Sequence, residues 1–276
     1  MSGKSALDRI ATWTWPETGS ALERAEAMVE PAILAGAFGD SRTLAVCGLQ
    51  YHLGGEEDTR QLAEQAGITA ADHVLDVACF LGGPALQLAE TYACQITGVD
   101  LSPLAIAGAR RIAQLAGLEH LLRYEVADAA HMPYPDGAFS VIWNQGSLNH
   151  DPAWLEEFDR VLRPGGRLAL VFEHRPAQGP RREGDSRWTI AETAARVAAS
   201  GYEIRHLDDL TEREIALGWQ RMIRRLDERR EVYLAAKGAE WIEAARKEFI
   251  EEIAAMRRLE WSNARLIAIK PDEGSG

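Results

Sequence analysis

From His73 onward the chain alternates short apolar runs with longer stretches whose apolar residues recur at helical spacing, and few folds tolerate that alternation. The runs are HVLDVAC, QITGVD, LRYEVAD, FSVIWN, GRLALVF and YEIRHL; the helical stretches lie near residues 84–91, 103–117, 152–162 and 188–200. Strands apolar on both faces need cover on both, and strands joined through helices run parallel. The pattern therefore predicts an α/β fold, a doubly wound, Rossmann-like and mostly parallel sheet. LRPGGRL, Leu162–Leu168, reads as a helix stop and a turn into one of these strands.

The alternation is flanked by helical sequence on both sides. Apolar positions at helical spacing over 20–38 and 56–67 predict a helical N-terminal cap over residues 1–65, ahead of a core over 66–210. Residues 211–258 read as a lid of two long charged amphipathic helices broken near KGAEW; the last core strand, SNARLIAIK, lies in 259–276. A chain of 276 residues suits such a core with an appended cap. A helical insertion between two late strands falls over the carboxyl edge of the sheet, where doubly wound folds bind ligands.

Charge narrows the partners. Lysine and arginine number 30 against 42 acidic residues, a net charge of -12 that repels nucleic-acid backbones and anionic membranes and favours a small-molecule partner. No apolar run approaches the roughly 18–20 residues of a membrane span, and MSGKSALDRIATWTWPE lacks the apolar segment of a signal peptide, so a soluble, cytoplasmic protein is expected. Cys47, Cys79 and Cys94 are odd in number with no CxxC spacing, which points to reduced, buried thiols and no metal site. A homo-oligomer is left open.

VLDVACFLGGPALQLAE, Val74–Glu90, begins like a dinucleotide-binding turn and departs from it: Ala78 and Phe80 stand where glycines are expected, and Gly82 and Gly83 remain. A pyrophosphate needs close backbone approach, which a bulky residue obstructs. S-adenosylmethionine has no phosphate, and its ribose, sulfonium and ammonium suit an acidic rim of Asp76, Asp100 and Asp128. Phenylalanine does not easily take φ > 0, so either the turn is shifted or Phe80 packs beside the ligand as a wall.

At these residues the sequence resembles the class I S-adenosylmethionine-dependent methyltransferases, over about residues 50–173 and more weakly at the last strand. The resemblance implies a seven-stranded sheet whose last strand is antiparallel. It also implies cofactor contacts from Asp76, Ala78, Phe80 and Gly82 in the first turn, and from Asp100 with Leu101 in GVDLSP. Asp128 with Ala129, and Asn144 with Gln145 in VADAAHMPYPDGAFSVIWNQGSLNH, complete the set. Ser140 stands where the family continues with an aspartate. QYHLGGEEDTRQLAEQAGI is similar to the segment before the core in the sarcosine, dimethylglycine and phosphoethanolamine branch, which makes His52 and Gly54-Gly55 candidates for the active-site rim; a solvent-exposed turn is the competing account.

Methyl transfer from a sulfonium is a direct displacement, so protein supplies alignment, dryness and, for a protonated acceptor, a base. His150 in QGSLNHD and His52 are the catalytic candidates, with Asn144, Gln145 and Asn149 as nearby amides. Glu173 and His174 form a second pair, more simply a satisfied loop histidine, and His131 is a candidate shield for adenine. Asp136-Gly137 reads as a turn. Trp13, Trp15, Trp188 and Trp219 could cage an alkylammonium, although such tryptophans usually anchor cores. RMIRRLDERR reads first as a solvated face, with one inward arginine as a substrate clamp.

The leading reading is methyl transfer to a small-molecule nucleophile, an amine first. The Asn-Pro-Pro-aromatic motif of nucleic-acid amino-methylation does not follow Asn144. The alternatives are an S-adenosylmethionine-binding enzyme with other chemistry and a non-catalytic homologue; nicotinamide binding is weaker.

Overall fold

The computed structural model describes residues 6–148, 150–181 and 183–272. Seven strands, β1 His73–Val77, β2 Gln95–Asp100, β3 Leu122–Val126, β4 Phe139–Gln145, β5 Leu162–His174, β6 Glu203–Asp209 and β7 Ser262–Ile269, form one sheet in the order β3-β2-β1-β4-β5-β7-β6. The first five pair in parallel, and β7 is antiparallel to both β5 and β6. This is the seven-stranded arrangement, with an antiparallel last strand, that the resemblance implies. The strand order reverses between β1 and β4, which opens a crevice at the carboxyl edge beside the β1 turn.

Twelve α-helical segments accompany the strands among the described residues: α1 Ala6–Ala11, α2 Ala21–Leu34, α3 Arg42–Cys47, α4 Gly55–Ala66, α5 Gly83–Tyr92, α6 Pro103–Ala116, α7 Pro152–Val161, α8 Ile190–Ala199, α9 Thr211–Glu214, α10 Gln220–Glu228, α11 Arg230–Lys237 and α12 Ala239–Arg257. Alternate strand residues feed two cores. Val74, Val141 and Ile267 pack with α2, α4, α5 and α6, while Leu75, Ile142 and Leu266 pack with α7 and α8. The helices that follow strands start where local chemistry dictates: Ser102 and Asp151 cap α6 and α7 by accepting from Ala105 N–H (3.2 Å) and Ala153 N–H (3.0 Å), each just before a proline at the first helical position.

Three details differ from the sequence reading. α3 is too short for periodicity to show, and is marked only by its Ser41 cap, which accepts from Leu44 N–H at 3.2 Å. LRPGGRL is no separate turn, because β5 begins directly after α7 and Gly165, at φ 67°, lies within it. The helical sequence over 211–258 breaks at Gly238 as expected, but its first half is interrupted by a π-helical turn over Ile215–Trp219 and again at Arg229. The wide turn brings Gly218 so close to Leu53 that a β-carbon there would stand 2.9 Å from the Leu53 Cβ.

Ser140, the departure from the family's aspartate, is buried in β4. Its hydroxyl donates to Asp72 Oδ1 at 2.8 Å and accepts from His73 N–H at 2.9 Å, a bridge that needs a small hydroxyl.

Candidate active site

β1 carries Asp76 to the carboxyl edge, and the chain then turns through Ala78 and Phe80 into α5. Ala78 lies at φ 59° and Phe80 at φ 50°, so both non-glycine residues keep the left-handed path of the glycines they replace. That path costs a residue with a β-carbon about 1–2 kcal/mol. The expectation that phenylalanine would resist φ > 0 is corrected by the contacts that hold it. Phe80 N–H donates to Asp100 Oδ2 and Cys79 N–H to Val99 O, each at 3.0 Å. The Phe80 ring meets Phe38 edge-on at 5.8 Å and Tyr51 at 5.6 Å.

Phe80 is a wall. It borders a cavity of about 160 Å³ whose other sides include Tyr51, His52, Asp76, Gln145 and Ser147. A second cavity of about 120 Å³ lies among Val99, Leu101, Ala127, Ala129 and Trp154. Ala78 and Asp100 line both, at the tips of β1 and β2. Gly82 and Gly83 line neither; a β-carbon on Gly82 would stand 2.3 Å from the Tyr124 hydroxyl oxygen, and one on Gly83 2.3 Å from Leu49 O, so both glycines allow close packing of α5.

The site is acidic and incompletely satisfied. Asp76 is 3% exposed and its Oδ2 has no hydrogen-bond partner. Burial, helped by the Asp100 charge, raises its carboxyl from the ordinary 3.8 to about 8. Asp100 Oδ1 accepts from Ser102 N–H at 2.8 Å. A buried carboxylate without a partner is costly and is relieved by a cationic ligand. These residues fit S-adenosylmethionine: a buried carboxyl oxygen lacks a partner that a cationic ligand would supply, Asp100 lines both cavities, and exposed Leu101 and buried Ala129 both line the second.

Asn144 is fully buried; its Nδ2 donates to Val77 O at 2.9 Å and its Oδ1 has no partner, so it braces the end of β1 instead of lining either cavity. Gln145 does line the first, and Trp143 Nε1–H donates to Gln145 Oε1 at 3.1 Å. His52 meets Gln50 Oε1 through Nε2 at 2.8 Å, and the Thr59 hydroxyl lies 3.1 Å from His52 Nε2, Gln50 Oε1 and Gln145 Oε1. Burial, opposed by Asp58, pulls His52 down to about 4 and keeps the ring neutral.

The other candidates lie elsewhere. His150 borders neither cavity: Nδ1 accepts from Trp188 N–H at 3.2 Å, the ring meets Trp188 edge-on at 5.2 Å, and burial lowers its pKa. Asp128 is exposed beside Ala129, its Oδ1 accepting from Ala130 N–H at 2.9 Å, and His131 is 86% exposed outside the second cavity. Glu173 pairs with Arg187 at 2.6 Å, and buried His174 stands 3.7 Å from Asp209. Gly137, at φ 67°, forms the expected turn. The four tryptophans make no common cage: Trp13 meets Phe38, Trp15 lies under Arg24, Trp188 meets His150 and Arg196, and Trp219 packs on Phe249 and Trp261. Asn149 lies outside the described residues. From α10, Arg221 packs on Gly55, where a β-carbon would meet its guanidinium at 2.3 Å, which explains the second glycine of HLGG.

Sequence reasoning missed Trp154, Gln50 and Thr59. Trp154 looks like a core position of an amphipathic helix, and the other two are polar residues whose convergence depends on how α4 packs across the sheet.

Comparison with known proteins agrees with this geometry. Residues 74–166 match the family described as a methyltransferase domain. The methyltransferase GfsG of Streptomyces halstedii is 40% identical over 120 residues, 42% of this chain and 43% of that protein. This chain spans less than half the length of the first curated relatives it matches. A solved Haemonchus contortus phosphoethanolamine N-methyltransferase, in complex with phosphomonomethylethanolamine and S-adenosylhomocysteine, superposes with a TM-score of 0.76 at 17% identity, covering 92% of this chain and 61% of that one. The [4+2]-cyclase SpnF superposes with a TM-score of 0.68 at 23% identity over 94% of this chain and 99% of its own, so the shared fold extends beyond the sheet into the helices over 211–258.

Proposed function

We propose that this chain, which carries a methyltransferase domain over residues 74–166, binds S-adenosylmethionine at the tips of β1 and β2 and transfers its methyl group to a small-molecule nucleophile, an amine first. The observation that carries this reading is the buried Asp76 carboxyl, whose Oδ2 has no hydrogen-bond partner, in the first cavity beside Asp100, which lines both. The donor supplies a methyl group already activated by its sulfonium. Asp100 accepts from the ribose hydroxyls, Leu101, Ala129 and Trp154 flank adenine, and Asp76 with Gln145 receives the methionine end. Gly82 and Asn144 shape the turn from behind, and Asp128 caps the adenine side from the rim.

Of the two histidines, His52 borders the cavity and is assigned the catalytic role, while His150, bonded to the Trp188 N–H away from both cavities, is not. Residues 211–258 form the lid, 1–65 the cap and 66–210 the donor-binding core. The amine preference rests on the acidic surroundings and on the phosphoethanolamine enzyme with similar fold. No described helix is long and apolar enough to cross a membrane, and we place the protein in the cytoplasm, acting on no nucleic acid.

Incubation with methyl-labelled donor and a panel of amines and alcohols tests the proposal, with label expected in an amine product. Tight donor binding with unmethylated but altered substrate would favour other chemistry on this scaffold. No donor binding by calorimetry would favour a non-catalytic homologue, and stabilisation by NAD alone would overturn the donor assignment.

A further inference from the structure

We propose that Gln50, Thr59 and Gln87 are positioning residues that lock His52 with its proton on Nε2, so that Nδ1 is left as the proton acceptor for the incoming nucleophile. The inference rests on the methyl-transfer reading for the nucleophile's identity, but the lock follows from the hydrogen bonds alone.

One end of the chain of bonds is anchored on a group that can only accept. Gln87 Nε2 donates to the Glu56 backbone carbonyl at 3.0 Å, which fixes the Gln87 amide and turns its Oε1 toward Gln50. Gln50 must then donate through Nε2, at 2.6 Å, and its own Oε1 faces His52 Nε2 at 2.8 Å. An amide oxygen only accepts, so Nε2 carries the hydrogen and the lone pair of the neutral ring lies on Nδ1.

The other end is anchored on a group that can only donate. The Trp143 indole gives its N–H to Gln145 Oε1 at 3.1 Å, so the Gln145 amide is also fixed, with an unpartnered Nε2 on a residue that lines the cavity. Thr59 joins the two ends. Its fully buried hydroxyl, 3.1 Å from His52 Nε2 and from Gln145 Oε1, can accept from the first and donate to the second. His52 Nδ1 makes no hydrogen bond among the described residues, and the ring borders the cavity.

The proton step balances on these atoms. The nucleophile–hydrogen bond breaks, its electron pair stays on the nucleophile as the new bond to carbon forms, and the proton passes to Nδ1. The imidazolium keeps its Nε2–H on Gln50 Oε1 and returns the Nδ1 proton to solvent.

Nitrogen-15 spectra of the histidine-labelled full chain test this, with His52→Asn assigning the signal. The expected wild-type ring has a protonated Nε2 and a bare Nδ1. Thr59→Val and Gln87→Ala should each give a mixture of tautomers and, in an active enzyme, lower kcat at least tenfold with donor KM unchanged; Thr59→Ser should restore both. Half-buried Gln87 keeps the test open should Thr59→Val fail to fold. A wild-type ring protonated on Nδ1, or variants with unchanged spectrum and kcat, would overturn the proposal. The spectrum needs no turnover: a locked ring in a protein that methylates nothing overturns the methyl-transfer reading and leaves the lock standing.

Discussion

The backbone N–H of Phe80 donates to Asp100 Oδ2 at 3.0 Å, so the carboxylate shared by both cavities also fastens the strained turn to the tip of β2. In the proposed function, donor binding and turn geometry are thus linked through one side chain. Asp100→Asn keeps the shape but loses the charge and one of the two accepted N–H bonds. Hydrogen bonds to charged groups contribute about 1.5–3 kcal/mol, so a loss near that size is expected by denaturant unfolding, together with loss of S-adenosylmethionine binding by calorimetry.

Ala78 and Phe80 carry the same left-handed backbone but different side-chain contacts, and glycine at each position separates the two effects. Ala78→Gly relieves about 1–2 kcal/mol of strain and costs about 0.5–1 kcal/mol in unfolded-chain entropy, so melting should stay level or rise slightly. Phe80→Gly gains the same relief but gives up ring contacts with Phe38 and Tyr51, each about 0.5–1.5 kcal/mol beyond area burial. Its melting temperature should fall, and the cavity beside Asp76 should widen.

How much was legible follows from the range of the interactions. Strand periodicity and helix caps are local, and the mostly parallel sheet follows from them; the antiparallel last strand and the place of Asp76 and Asp100 at the cavities were legible only through the family resemblance. The positive φ of Phe80 was not legible, because it depends on Phe38 and Tyr51 arriving from the N-terminal segment. The separation of His150 from the cavities depends on Trp188, thirty-eight residues away in sequence. The relay through Thr59 spans 86 residues to Gln145, and no short motif encodes it.

The Asp76 carboxyl, raised by burial to about 8, gives donor binding a direction in pH. In the folded, ligand-free chain it holds its proton at pH 7, a contribution to stability that is full below 3.8 and is lost as pH rises toward about 8. A cationic ligand favours the ionised form, so binding near pH 7 should release a proton, and affinity should rise with pH and level off above about 8. Calorimetry in buffers of different ionisation heat reads that proton; Asp76→Asn should abolish both the release and the slope.

His52 gives the opposite sign at lower pH. Its folded value of about 4 lies below the ordinary 6.5, so the neutral ring's contribution is present above 6.5 and is lost as pH falls toward about 4. The loss should be on the order of 1–3 kcal/mol. Urea midpoints measured across that window should slope downward for the wild type. They should slope less for His52→Asn, which has no ring to protonate.

Asp58 and Arg265 pair with both side chains 1% exposed, joining α4 to β7, and Arg213 in α9 adds a second contact to the same carboxylate at 3.2 Å. The pair sits one residue before Thr59, so it also sets how α4 presents the relay. Asp58→Leu leaves the Arg265 guanidinium buried with Gln61 and Gln65 as its acceptors among the described residues, and removing one partner of a buried pair costs about 3–5 kcal/mol. Adding Arg265→Met removes the stranded charge as well, and because buried ion pairs repay little more than their desolvation, the double variant should recover most of the loss. Denaturant unfolding of the three variants would show it: a double variant as unstable as Asp58→Leu would mean that the shape of the pair, and not its charge, holds α4 to the sheet.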